Sequence, residues 1–460
     1  MCAAAVAMLS LTACSDDSNG SGSGDGGSAK ADTVVSTLEQ KKKLDSVAVR
    51  AMNLTPAEDF QNIYRLTEDM LERTTYNSDD IDEWFTSTLQ ALSTLTSETK
   101  TETDRHTEDG HTGVYYDVFR NYNALIAISN LNGHFTADEE SKKWTRTDAD
   151  DLQIFFEDRD GKECVLKVAG SGATKNVYLS QYKEWDEAGE EGKFKYDEEE
   201  VTDELTNLYK YFVTTQITMK VPEHITLSLS QDGKTVMTTD LHLSLGDLAD
   251  GQYFSLRKTN VTLNAKTTLN DYVFDLKQFV YDANKSAAVQ LDVYKGSTRV
   301  YSFDIASDLT GIPDFIHDGQ HTISGSDFDD VNVQNAVVKI DILGEVQIQG
   351  TVQDLEKYLD CLNSATDNDT DEATFKSFVN QANSMMDINV YYDNKSTKQA
   401  SLMMRAFDYD YDGHSVWYDD PVICFPDGSG YSLETFFSEE DFRKSLDKFE
   451  ELIEGFRNLR

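Results

Sequence analysis

Between Val338 and Gly350 the chain alternates. Val338, Ile340, Ile342, Val346 and Ile348 fall on one side, with Gly344 and Gly350 in phase. Lys339, Asp341, Glu345, Gln347 and Gln349 fall on the other, and Leu343 is the exception. A period of two is the mark of a strand with one buried face and one wet face. Read as one strand, the run spans roughly 43 Å at about 3.3 Å per residue, around twice the usual strand length. The alternation returns at Met219, Val221, Ile225, Leu227 and Leu229, and again at Val261, Leu263, Ala265 and Leu269. Turn signals separate such runs: Asp158-Arg159-Asp160-Gly161, Asp232-Gly233 and Lys295-Gly296. Long amphipathic strands joined by short turns predict an α+β fold. Its centre is one large, curved antiparallel sheet with a single apolar face.

Helices are expected at both ends. Thr55-Pro56-Ala57-Glu58 has an N-cap threonine, a proline at the first helical position and a glutamate three after the cap. Ser78 opens a second helix, with Ile81, Trp84, Phe85, Leu89, Leu92 and Leu95 on one face. Thr96 to Gly113 is polar and reads as a loop. After Gly350, Thr351 and Asp354 form a capping box for a helix over Val352–Ala365, whose stripe is Leu355, Tyr358, Leu359 and Leu362. A further helix carries Phe375, Phe378, Val379 and Ala382, with Asp371 at its start. Strands resume from Ile388 to about Tyr431. A closing helix, Glu439–Leu459, has Ser438 as N-cap, Asp441 three later and a Phe437–Phe442 staple.

A helix covers a width of about 10–12 Å, so a few helices need not cover a broad sheet. The remainder requires an apolar cavity, the expectation here, or a second packed layer. A long-stranded curved sheet capped by helices resembles the open half-barrel of LolA-type lipoprotein carriers. The likeness is one of pattern, and architecture alone implies no function.

The first residues speak of location. A run of mostly apolar residues from Met1 leads to Leu11-Thr12-Ala13-Cys14. It is too short to span a bilayer, which takes about 20 residues as a helix, but it suits a signal-peptide core. The order resembles a bacterial lipoprotein signal, which implies cleavage before Cys14 and lipid on its thiol. No Lys or Arg precedes the apolar run, which places the expected start upstream of Met1. Ser15 to Ser28 holds only Ser, Gly, Asp and Asn. Such composition forms a flexible tether with a reach of roughly 20 Å. Ser15-Asp16-Asp17 resembles the acidic export signal of Bacteroidota surface lipoproteins. That resemblance implies a place on the outer face of the outer membrane, the periplasmic face being the alternative.

The expected organisation is therefore a signal (1–13), a lipidated cysteine and tether (14–28), a helical region (29–113), a sheet region (114–350), and helices and hairpins completing the same domain (351–460). No second flexible linker and no internal repeat divides the body.

Lys and Arg number 41 and Asp and Glu 83, for a formal charge of −42. That field repels phosphate backbones and excludes nucleic acid as a partner. It also leaves the lipid anchor, rather than charge, to hold the protein at a membrane. Hydrophobic residues at 39% suffice for a core. Cys164, Cys361 and Cys424 remain once Cys2 leaves with the signal and Cys14 is lipidated. Three is an odd number for an oxidising compartment. Cys164 is in phase with Leu166 and Val168 and is expected to be buried. A disulfide between two of the three stays open.

Asp408-Tyr409-Asp410-Tyr411-Asp412-Gly413 is the sharpest local constellation. Alternate carboxylates followed by glycine match the first half of a calcium loop, and Asp419 falls at the twelfth position. Asp419 is shorter than the glutamate expected there, and the flanks alternate as strands. An acidic hairpin turn is the competing reading. Calcium is the one cofactor suggested. Asp367, Asp369 and Asp371 also alternate but lack the glycine. His317 and His321, and His106 and His111, read as solvated loop residues. No metalloprotease, Cys-x-x-Cys or phosphate-loop motif occurs, and Gly170-Ser171-Gly172 is not a nucleophile elbow.

Two function classes follow. One is a non-catalytic, lipid-anchored binding protein with an apolar ligand or a protein partner. The other is a surface protein that binds or degrades glycans, suggested by 22 Tyr and 4 Trp. No catalytic residue can be named for either.

Overall fold

A computed structural model describes residues 34–76, 85, 97–108, 111–121, 131–188, 195–196, 199–200, 211–246, 248, 252–253, 257–312, 331–366, 371–411, 414–432, 448, 452 and 454–455. Every structural statement below concerns those residues. The lipoprotein signal and tether, the helix expected from Ser78 apart from Phe85, and His317 and His321 lie outside them.

Most of the described chain is strand, in a large, open sheet with a few helices. In chain order the elements are α1 (Thr37–Leu54), α2 (Gln61–Glu72), β1 (Ser97–Glu108), β2 (His111–Asn121), β3 (Gly133–Asp138), β4 (Lys143–Thr147), β5 (Leu152–Glu157) and β6 (Glu163–Ala188). There follow β7 (Lys195–Tyr196), β8 (Glu199–Glu200), β9 (Tyr211–Gln231), β10 (Lys234–Leu245), β11 (Gln252–Tyr253), β12 (Val261–Leu269), β13 (Tyr272–Asp282), β14 (Ser286–Lys295) and β15 (Thr298–Thr310). The last are β16 (Asn332–Ile342), β17 (Val346–Asp354), α3 (Leu355–Thr366), α4 (Glu372–Met385), β18 (Met386–Tyr392), β19 (Ala400–Tyr411), β20 (His414–Cys424) and β21 (Gly430–Ser432). Lys448, Leu452, Glu454 and Gly455 are helical, within the closing helix expected from the sequence.

The sheet is mixed rather than wholly antiparallel. β3 runs parallel to β5, and β11 parallel to β6, while the other described ladders are antiparallel. The chain divides into two compact units. One comprises Met1–Asp59, Ala288–Asp308 and Asn332–Arg460, the other Phe60–Ala287 and Leu309–Val331.

In the second unit β6 pairs with β9 over most of its length, β9 with β10, and β10 with β12. Leu166 and Val168 of β6, Ile225 and Leu229 of β9, and Leu241 of β10 form the buried face. Cys164 joins them fully buried, as its phase predicted. Phe135, Leu152 and Ile154 extend this face onto β3 and β5, which continue the same sheet beside β6, and Ile63, Leu66 and Met70 of α2 pack against it. Phe85 stacks on Phe135 at 4.1 Å and meets Trp144 edge-on at 4.8 Å. Beneath them the Arg73 guanidinium, almost wholly buried, donates to Glu139 at 2.5 Å and to the Asp69 carbonyl.

The first unit packs α1 on strands. Ser36 caps α1 in a reciprocal capping box with Glu39. Val47 of α1 is buried with Val346, Val390, Tyr392, Ala400 and Ile423. Gln40 Nε2 donates to the Gln399 carbonyl at 3.0 Å, tying the helix to the segment before β19. On the β19–β20 hairpin, Phe375 and Val379 of α4 pack on Met404, Ala406 and Trp417.

Four expectations change. Within the expected loop, residues 97–108 and 111–113 are strand, paired in a hairpin with Glu108 opposite His111, so His106 and His111 are strand residues. The alternating run from Val338 is two strands, because Leu343 and Gly344 take φ of 55° and 72° and turn the chain. Glu345 N–H donates to the Ile342 carbonyl at 3.0 Å to close that turn. The helix expected from Val352 begins at Leu355, since Val352 is still paired with Met386 in β18. Its cap is Asp354 alone, accepting from Lys357 N–H at 3.0 Å. Thr55 ends α1 instead of capping α2: its hydroxyl donates back to the Ala51 carbonyl, and a 3-10 turn at Ala57–Phe60 precedes α2. Asp371 does cap α4, as read, accepting from Ala373 and Thr374 N–H.

Candidate functional site

The outward face of the second unit's sheet gathers two histidines, an aspartate and a serine from three strands. Their placement follows from alternation. Ile225 and Leu227 point inward on β9, so His224 points out; Leu241 and Leu243 point inward on β10, so Asp240 and His242 point out. Register then aligns them. Ser171 of β6 stands opposite His224, and His224 opposite His242. Asp240 lies two residues before His242 on the same face.

β6 carries a bulge here. The register shifts between Ser171 and Thr174, and Gly172 takes a φ of 84°, in the left-handed region open to glycine. Ser171 meets His224 at the end of the unbroken register that runs from Cys164–Gln231, and the ladder resumes beyond the extra residue at Thr174–Pro222.

The contacts form a closed set. Ser171 Oγ is 2.9 Å from His224 Nδ1. His224 Nε2 is 3.2 Å from one Asp240 oxygen, and His242 Nε2 is 3.1 Å from the other. The two imidazoles stack with centroids 4.4 Å apart and 4° between planes. The three ligand atoms lie within 4.8 Å of one another. His224 is the most sheltered, its side chain 28% exposed against 62% for His242 and 54% for Asp240.

Chemically, this is an N/N/O donor set with one imidazole held from behind by a hydroxyl. It lies on an open sheet face. Ser171, His224 and Asp240 make a hydroxyl–imidazole–carboxylate chain, but Asp240 also binds a second imidazole, unlike the dedicated third member of a hydrolase triad.

The acidic constellation of β19 and β20 is placed differently. Asp408 stands opposite Trp417, and Asp419 opposite Ala406, so both lie on the hairpin face that carries α4. Asp408 accepts from Ser415 Oγ at 3.3 Å. Burial raises the Asp419 carboxyl above the usual aspartate range. Asp410 pairs with Ser415 along the backbone, while Asp412, with Gly413, lies outside the described residues. The strands run to Tyr411 and restart at His414, which matches the alternation read on either side of the loop.

The other face of the hairpin is aromatic. Phe407 stands opposite Tyr418 and Tyr409 opposite Val416. Phe407 and Tyr418 stack at 5.6 Å, Tyr418 and Tyr409 meet at 5.9 Å, and Tyr409 is 51% exposed.

Elsewhere in the first unit, Arg50, Asn53, Leu54, Thr298, Leu343 and Glu345 line an open depression. Its mouth is bridged by Arg50, paired two-to-two with Glu345 at 2.9 and 2.6 Å. Cys164, Cys361 and Cys424 are all free thiols.

Sequence reading singled out none of the His224 cluster. Each outward residue was visible as a polar position between apolar ones, but only strand pairing shows that they meet. The chain matches no protein-family model, no curated protein and no solved structure.

Proposed function

We propose that this chain is a non-catalytic, lipid-anchored outer-membrane lipoprotein that presents its strand faces to a ligand or partner. The single observation that carries the reading is Leu11-Thr12-Ala13-Cys14 after an apolar run and before a tether of Ser, Gly, Asp and Asn. The cysteine supplies an acyl acceptor, the tether supplies reach, and the strongly acidic body supplies no charge attraction of its own to an anionic bilayer. Ser15-Asp16-Asp17 supports display on the outer surface.

The test is fractionation. Expressed from an upstream start, the wild type should enter the membrane fraction with acyl chains on Cys14, and Cys14→Ser should leave it soluble or unprocessed. Wild-type protein that retains residues before Cys14 would overturn the anchor. Replacing Asp16 and Asp17 with Ala should hide the protein from protease added to intact cells. A wild type already fully protected would overturn surface display.

A specific observation favours glycan as the ligand class. Phe407, Tyr409 and Tyr418 form a contiguous aromatic strip with an exposed member, and sugar rings stack on such faces through their C–H groups. Tyr409→Ala should abolish retention on polysaccharide gels while leaving the fold intact. Equal retention of wild type and variant would remove this strip as the glycan site.

A further inference from the structure

We propose that His224, Asp240 and His242 form a binding site for a first-row divalent transition-metal ion, with Zn2+ as the type ion and Ser171 as the residue that orients His224. The inference stands apart from the anchor and from the aromatic strip, since it rests on a different face and different residues.

The donor set selects the ion. Two imidazole nitrogens and one carboxylate suit zinc and its neighbours, whereas calcium and magnesium take oxygen ligands. The spacing is near what coordination needs. With metal–nitrogen and metal–oxygen bonds of about 2.0–2.2 Å, the ligand atoms of a tetrahedral ion stand roughly 3.4 Å apart. Each histidine nitrogen already stands that close to a different Asp240 oxygen, at 3.2 and 3.1 Å. One atom from each residue lies within 4.8 Å of the others, a spread that must contract for one ion to hold all three.

Proton inventory states what metal binding requires. A neutral imidazole carries one N–H. Without metal, His224 Nε2–H donates to Asp240 and Nδ1 accepts from Ser171 Oγ. A metal on Nε2 moves the proton to Nδ1, which then donates to Ser171 Oγ, a group able to serve in either direction. His242 Nε2 faces the same carboxylate from the next strand, so one ion replaces two protons. A hydrogen bond behind a ligand imidazole fixes its tautomer and orientation. The unbroken β6–β9 ladder from Cys164–Gln231 brings Ser171 to that position, and the bulge at Gly172 begins just beyond it.

The frame is rigid where it matters. His224 and His242 are cross-strand neighbours between two paired strands, and Asp240 is two residues along. All three positions are fixed by ladders rather than loops. The open side faces solvent and leaves coordination positions for water or for a donor from a partner.

The experiment uses the full-length protein in detergent, free of any affinity tag and stripped with EDTA. Zn2+ is titrated calorimetrically, and Co2+ is titrated with its visible absorption as readout. We expect one saturable equivalent at micromolar ion, release of protons on binding, and Co2+ bands of the intensity given by a four- or five-coordinate site. His224→Ala with His242→Ala should remove that equivalent. Ser171→Ala should weaken it roughly tenfold or more while the ligands remain. His134→Ala, which touches Asp151 instead, should change nothing. The variants change exposed or half-exposed side chains, and an unaltered unfolding midpoint without metal verifies that each is folded. No saturable binding by the wild type, or equal binding by the double variant, overturns the proposal.

Discussion

A methyl group on Gly350 would stand 1.9 Å from the carbonyl oxygen of Asp387 and 2.5 Å from the Cα of Ile388. β17 and β18 are therefore in contact at a point where no side chain fits, although Gly350 itself lies in ordinary strand backbone. Gly350→Ala must push the two strands apart or slip their register. Overpacking of this kind costs about 1–3 kcal/mol, and the urea midpoint of the first unit should fall accordingly. An unchanged midpoint would show that the strands part freely.

Acid should weaken the second unit through Glu139. Burial by itself would raise its carboxyl, but hydrogen bonds from Tyr76, Arg73 and Lys142 outweigh that effect and hold it below its ordinary 4.5. A carboxylate depressed in the folded state adds stability that is fully present above its unfolded value and is lost as pH falls through its folded value. Glu139→Gln should therefore be less stable than wild type at neutral pH, with the gap closing below pH 4.5. A gap that persists unchanged into acid would trace the loss to packing of the buried Arg73 instead.

Cysteine reactivity should be graded. Burial pushes the Cys164 thiol up to about 11, so neither access nor ionisation favours attack. Cys424 is only half-buried. Brief alkylation of native protein at neutral pH, read by peptide mass spectrometry, should label Cys424 and spare Cys164 until denaturant is added. Equal labelling of both would contradict the burial of the β6 face.

The two faces of the β19–β20 hairpin should answer mutation differently. Trp417 is partly buried and packs against Phe375 of α4 with ring centroids 6.2 Å apart, and Trp417→Ala should cost about 1–3 kcal/mol. Tyr409→Ala, on the exposed strip, should stay within about 0.5 kcal/mol of wild type. Thermal or chemical unfolding of both variants checks the contrast, and a large loss with Tyr409→Ala would mean that something covers that strip.

What could be read in advance was whatever the chain writes locally. The alternation of β9 and β12, the Asp232-Gly233 turn, the Asp371 cap and the burial of Cys164 each depend on residues close in sequence, and each is found as read. The polar hairpin of β1 and β2 escaped because it has no apolar period on its first strand. Thr99, Thr101 and Thr107, all good strand formers, were the available signal. Leu343 was visible as a break in phase, yet a leucine at positive φ is too rare to be assumed, so two strands looked like one. The His224 cluster was beyond reach for a different reason. Ser171 and His224 are 53 residues apart, and their meeting depends on a strand register that only the paired strands reveal.

The order of segments along the chain has a consequence for biogenesis. The first unit is built from three separated stretches, and α1 bonds to the segment at Gln399, 359 residues later. The other unit is nearly continuous. A chain made from its N-terminus can thus complete the second unit early, while α1 waits for its strands until synthesis is almost over. The first unit is in effect a check on completeness, since any chain that stops short of β19 leaves α1 without a place to dock.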